Sequence, residues 1–187
     1  MAYLGNPIKI QTILNAVGNA DTLIDIGCNY GFMAKAFLDN RLAKKCFGID
    51  KTIKVVDPRL LKNPAFTFYE GDLVDFVFPQ TYEVIIYTAT HHRVLETYGK
   101  DVAMNVWRKI VNACEKTIVF ETGMLAESGV DFTAELAKYY SNDKEHWDEI
   151  ISVVGDRLLG VEELIKIPVR GETRIVCKIM LSEPDRC

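Results

Sequence analysis

Apolar positions along the chain follow two rhythms, a helical recurrence and short unbroken runs. Ile8, Ile10, Ile13, Leu14 and Val17 fall at helical spacing and predict a first helix over IKIQTILNAV. TLIDIG is a continuous apolar run, the pattern of a strand buried on both faces. FMAKAFLDNRLA returns to helical spacing, and KKCFGID to strand. A connection broken by Pro58 and Pro64 leads to a third strand, AFTFYEGD. YEVIIYTAT, rich in β-branched and aromatic residues, predicts a fourth. Val102, Val106, Ile110 and Val111 mark one side of a helix from about residue 99 to 114, and KTIVFETG predicts a fifth strand.

Strictly alternating strand and helix imply parallel strands joined by right-handed crossovers, hence an α/β sheet with helices on both faces. The rhythm changes after residue 130. DFTAELAKYY and KEHWDEIISVVG read as helices, and GVEELIKIPVRG and ETRIVCKIMLSE as two strands about an Arg170-Gly171 turn. A tight hairpin there makes the last pair antiparallel. No repeat, low-complexity tract or Gly/Ser linker interrupts the pattern, so residues 1–187 read as one domain.

Composition adds bounds. Hydrophobic residues make up 49% and charged residues 26% of the 187, a globular balance that allows one substantial core. No apolar run reaches the roughly 18 to 20 residues that span a bilayer. MAYLGNPIKIQTIL lacks the charged head, apolar block and cleavage site of a secretory signal, so a cytoplasmic protein is expected. Five cysteines, at 28, 46, 114, 177 and 187, form no CxxC pair and fit free thiols in a reducing compartment. A net charge of −4 argues against extended nucleic-acid contacts, although it leaves room for a local basic patch.

The candidate chemistry begins at DIGCNYGF, which ends the first strand at the edge where open α/β sheets bind ligands. Gly27 permits a turn that a Cβ would obstruct, and Gly31 lets the following helix pack close. A dinucleotide fold uses G-x-G-x-x-G with pyrophosphate on the helix start. The chain instead reads D-x-G-x-N-x-G, with Asp25, Gly27, Asn29 and Gly31. A carboxylate there repels pyrophosphate and suits a ligand bearing an ammonium group. Three further elements follow in order: Asp50 closing CFGID, Asp72 in YEGDL, and YTATHH after the fourth strand.

Together these resemble class I S-adenosylmethionine (SAM)-dependent methyltransferases, with Asn29 in place of the middle glycine of motif I. The resemblance covers about residues 8 to 123. It implies a Rossmann-like, seven-stranded, mainly parallel sheet with a terminal antiparallel hairpin, and SAM as cofactor. It places Asp25, Gly27, Cys28, Asn29 and Gly31 at the methionine portion and Asp50, with Lys51 beside it, at the ribose hydroxyls. Asp72 and the Leu73 backbone N–H then meet the adenine, and Thr88 lies on the strand-four motif lining the methionine arm.

His91 and His92 follow the fourth strand, where a histidine suits general-base work on a hydroxyl. Neighbouring side chains diverge, so one is expected to face the substrate, His92 in preference to His91, while the other supports the loop. Glu121, closing VFETG, is expected to project into the same crevice, and Arg93 is a candidate to hold a phosphate. No metal is expected, because adjacent histidines rarely chelate one ion. His146, amid KEHWDE, reads as a surface or lid residue.

The His-His segment, followed by a helix and a strand ending in Glu121, further resembles methyltransferase domains of kinase–methyltransferases that terminate O-antigen chains. That resemblance suggests O-methylation of a sugar, sugar phosphate or other small molecule. The stretch 124–158, with Phe132, Tyr139, Tyr140, His146 and Trp147, is a candidate lid or acceptor insertion, although helical spacing favours core packing for its aromatic residues. The N-terminal YLGNPIKIQ is a second segment that could cover the cofactor. Alternatives are an RNA or protein methyltransferase and a non-catalytic SAM-binding partner subunit. The low charge and the missing N/D-P-P-Y/F motif argue against base N-methylation.

Overall fold

The computed structural model describes residues 5–127, 130–169 and 172–184. The expected Arg170-Gly171 turn, Cys187 and the Tyr3-Leu4 start of the N-terminal segment lie outside them. Strands β1 (Ala20–Ile26), β2 (Ala43–Asp50), β3 (Phe66–Glu70), β4 (Tyr82–Thr88) and β5 (Cys114–Glu121) are parallel. The final pair, β6 (Leu158–Val169) and β7 (Glu172–Leu181), is antiparallel. Antiparallel pairing of β7 with β5 completes a seven-stranded sheet of order β3-β2-β1-β4-β5-β7-β6. This is the architecture expected from the alternation.

Side-chain parity divides the core between two faces, because successive strand residues point to opposite sides. Ile24, Ile26, Ile85 and Tyr87 face one side, where Trp107 and Phe120 are fully buried. Leu23, Val84 and Ile86 face the other, with Ile13, Leu14 and Phe37. Helices α1 (Pro7–Val17), α2 (Phe32–Asp39) and α3 (Pro58–Leu61) cover the second face. The first is covered by α4 (His91–Tyr98), α5 (Lys100–Ala113), α6 (Asp131–Leu136) and α7 (Asp143–Ser152). Full burial of side chains this large stabilises by about 1.5–3 kcal/mol each. Trp107 also donates its indole N–H to the Ile150 carbonyl at 2.8 Å, which ties α7 to α5. Among the described residues no helix is long and apolar enough to cross a membrane.

Two local expectations change. Ile8 is 68% exposed, whereas Lys9 beside it is buried, so the inward stripe of α1 runs through Lys9, Ile13 and Leu14. The HHRVLETY segment is the helix α4 rather than a loop. In the 124–158 stretch Phe132, His146 and Ile150 are fully buried, the core packing that helical spacing favours.

Candidate active site

Parallel strands carry their C-terminal ends to one edge, and strand order reverses between β1 and β4. A cleft of about 490 Å³ opens there. Its lining includes Gly27, Asn29, Asp50, Lys51, Asp72, Leu73, Thr88 and His92. Most of the sequence-predicted cofactor residues therefore converge on one cavity.

The β1–α2 turn shows why its residues are what they are. Gly27 has φ +69°, and a Cβ on it would sit 2.3 Å from Thr90 Oγ1. That hydroxyl donates to the Thr88 carbonyl at 3.1 Å, so the turn and the β4 end are packed together. Asn29 has φ +48°, a left-handed conformation that Asn tolerates better than most side chains. Its N–H donates to Asp50 Oδ2 at 2.8 Å, while the Lys51 N–H donates to Asp50 Oδ1 at 2.8 Å. Asp50 is thus fixed by two backbone donors and keeps lone pairs for a ligand. Asn29 Oδ1 is a buried acceptor without a partner among the described residues. Asp72 accepts from the Val74 N–H at 3.1 Å, from the Tyr98 hydroxyl, and from Lys51 Nζ at 3.0 Å.

Other expected site residues lie beneath the cleft. Asp25 shares strand parity with Leu23 and so points to the α1–α2 face, 5% exposed. Burial pushes its carboxyl up to about 7, against the Ala34 N–H of α2 and the nearby Lys9 ammonium. Asp25 is not among the residues lining the cleft. Cys28 packs its thiol against Gly48, where a Cβ would lie 2.9 Å from Sγ. Gly31 does not line the cleft either; a Cβ there would strike Leu60 Cδ2 at 2.4 Å. Glu121 is fully buried, bound by Lys9 Nζ at 2.5 Å and facing Arg174 Nη1 at 3.5 Å. Desolvation lifts its carboxyl to about 7 and lowers the Lys9 ammonium to about 8. Arg174 in turn makes a two-point pair with Glu127, at 2.6 and 2.7 Å.

The two histidines part because adjacent helix residues lie about 100° apart. His91 turns into the core against Tyr87, Phe120 and His146, and burial drops it to about 3. It cannot reach the cleft. His92 borders the cleft, packed on Phe132 at a ring distance of 4.4 Å. The Gly123 N–H donates to its Nδ1 at 2.8 Å. A backbone N–H can only donate, so neutral His92 carries its proton on Nε2. Its remaining ring nitrogen is therefore a donor, which does not fit the expected general base. Burial, with Arg174 and Arg93 nearby, lowers its pKa well below the usual value and keeps that neutral form.

His146 is a correction to the sequence reading: it is fully buried, with its ring 4.6 Å from that of Tyr140 and 5.7 Å from that of His91. Desolvation lowers it to about 4. The folded pKa lies below the unfolded value near 6.5, so the neutral ring stabilises the fold above that pH and the stabilisation is lost as pH falls towards 4. Asp25 and Glu121, raised to about 7, act in the opposite sense over part of this range. His146→Phe is therefore expected to flatten the acid limb relative to wild type, by about 1.4 kcal/mol per pH unit. In melting curves between pH 6.5 and 4 that is about 3–6 °C per unit. Parallel limbs would show that His146 stays neutral in both states.

Sequence reasoning missed Lys9, Arg174, Glu127 and Tyr98. A lysine inside the apolar stripe of α1, and an arginine sharing inward parity with Val176 on β7, were the available signals.

No protein-family model matches the chain, and no curated protein matches it. Solved structures do match. The N-methyltransferase NodS from Bradyrhizobium japonicum WM9 aligns with TM-score 0.65 and 13% identity, over 98% of this chain and 100% of its own. NodS in complex with S-adenosyl-L-homocysteine (SAH) aligns with TM-score 0.64 and 12% identity, over 94% of this chain and 85% of its own. WbdD aligns with TM-score 0.69 and 16% identity over 93% of this chain, which spans only 39% of WbdD. What these likenesses establish is architecture: the chain has the Rossmann-like fold of SAM-dependent methyltransferases.

Proposed function

We propose that this protein is a SAM-dependent methyltransferase acting on oxygen, with a sugar phosphate or a similar small anionic molecule as acceptor. The observation that carries the reading is the convergence of Asp50, Asp72 and the Gly27–Asn29 turn on one cleft whose other wall is His92 and Arg93. The residues fit the cofactor. Asp50 has lone pairs for the two ribose hydroxyls, and the orphan Asn29 Oδ1 suits an ammonium donor. The glycine at position 27 lets Thr90 pack against the turn that lines the cleft. When bound, SAM supplies an electrophilic methyl group on sulfur.

His92 Nε2–H and the Arg93 guanidinium, which lies 5.4 Å over the Phe132 ring, offer donors to the acceptor. Donors orient an oxyanion and do not deprotonate a neutral hydroxyl. A phosphate oxygen already carries its charge and needs no base. The resemblance of the His-His segment to chain-terminating kinase–methyltransferases supports the same acceptor class.

The test uses SAM labelled in the methyl group, with sugar phosphates and their dephosphorylated forms side by side. Label is expected only on the phosphorylated acceptors, with kcat level above about pH 7, since a phosphate monoester loses its second proton near 6. Transfer to the neutral sugars, with a rate limb near 6.5, would restore a histidine base and remove the phosphate. No transfer to any oxygen acceptor, despite SAM binding, would leave a binding subunit.

A further inference from the structure

Asp50 and Asp72 stand at corresponding strand ends but are differently engaged. Among the described residues Asp50 is held by two backbone N–H groups. The cleft-side oxygen of Asp72, Oδ2, receives the Tyr98 hydroxyl and the Lys51 ammonium, the latter at 3.0 Å. Lys51 Nζ also lies 3.3 Å from the Tyr98 oxygen and 5.3 Å from the centre of its ring. A carboxylate oxygen has two in-plane lone pairs, and here both are taken. Oδ1 is turned to the Val74 N–H. Tyr98 is the last residue of α4, 39% exposed, and Gly99 at φ +82° follows it.

We infer that Tyr98 is an internal competitor for the adenine site: its hydroxyl occupies Asp72 and must be displaced when the nucleobase enters. The inference rests on the SAM reading above and deepens it. Tyr98 and Lys51 keep Asp72 hydrogen-bonded while the cleft is open, and they lower the net gain from seating the base. The consequence falls on product as well as substrate, because both carry the same nucleoside. Tyr98 thereby weakens the hold on SAH and favours its release.

The competition predicts a dependence on the nucleobase that a merely structural tyrosine would not show. By calorimetry, Tyr98→Phe, which keeps the ring and removes only the hydroxyl, is expected to bind SAH and adenosine about 3- to 10-fold more tightly than wild type. S-ribosylhomocysteine, which lacks the base, is expected to bind both proteins equally. Asp50→Ala serves as the arm for the underlying reading, since it strikes the ribose and leaves Tyr98 untouched. Unchanged or weaker SAH binding in Tyr98→Phe, with Asp50→Ala still defective, overturns the competitor role and leaves the SAM reading standing. An equal gain for S-ribosylhomocysteine also overturns it, because the gain would then not come from the base. SAH binding that ignores Asp50→Ala, or no SAH binding by wild type, overturns the SAM reading and this inference together.

Discussion

Asp50→Ala is expected to weaken SAM and SAH binding by about 100-fold or more, with the fold intact. Two hydroxyl donors to one carboxylate each contribute about 1.5–3 kcal/mol, and their loss exceeds the tenfold affinity change that 1.4 kcal/mol represents. Pre-organisation adds to this: Asn29 N–H and Lys51 N–H already fix the carboxylate, so binding orders nothing new there. Asp50→Asn is expected to be nearly as damaging. Its amide would set an N–H against one of the two backbone donors that the carboxylate now satisfies. Calorimetry with both ligands, alongside circular-dichroism melts, checks the pair. Affinity within about threefold of wild type in either variant would take the nucleoside off the end of β2.

The sheet was legible because parallel strands buried on both faces leave continuous apolar runs, and Pro and Gly break the chain between them. The cleft residues were legible for a related reason: Gly27, Asn29, Asp50 and Asp72 follow strands whose ends must share one edge. What sequence could not give was direction within an element. Asp25 lies one residue from Ile26, yet parity sends it to the α1–α2 face, where it is buried. The His91-His92 pair was visible, but only the helical geometry of α4 puts one imidazole in the core and the other at the cleft. The tautomer of His92 depends on the Gly123 N–H, 31 residues away. Lys9 and Glu121 are 112 residues apart, and no local pattern pairs them. His146 looked exposed among acidic and basic neighbours because α7 is polar on its other side. Its own position faces Tyr140 and His91.

The buried charges beneath the cleft carry the largest expected effect on stability. Arg174 on β7 joins Glu121 at the end of β5 to Glu127 in the following loop, and both carboxylates are almost fully buried. Removing one partner of such a set leaves charge without compensation, a loss of about 3–5 kcal/mol. For a domain of this size Arg174→Met is expected to lower the melting temperature by about 6–20 °C at pH 8. The sign of its pH dependence follows from the residue left behind. Desolvation already holds the Glu121 carboxyl up near 7, and loss of the guanidinium raises it further. A carboxyl whose folded pKa exceeds its unfolded value favours the fold below the unfolded value, near 4.3, and loses that advantage as pH climbs through the folded one. The gap between Arg174→Met and wild type should therefore narrow as pH falls from 8 to 5, a higher pH window than that of an ordinary exposed ion pair, whose carboxylate protonates near 4. Adding Glu127→Gln, which removes one of the stranded charges, should recover part of the loss at pH 8. A gap that stays constant from pH 8 to 5, or a double variant less stable than the single one, would mean that Arg174 acts through its packing on Phe132 rather than through the charges it joins.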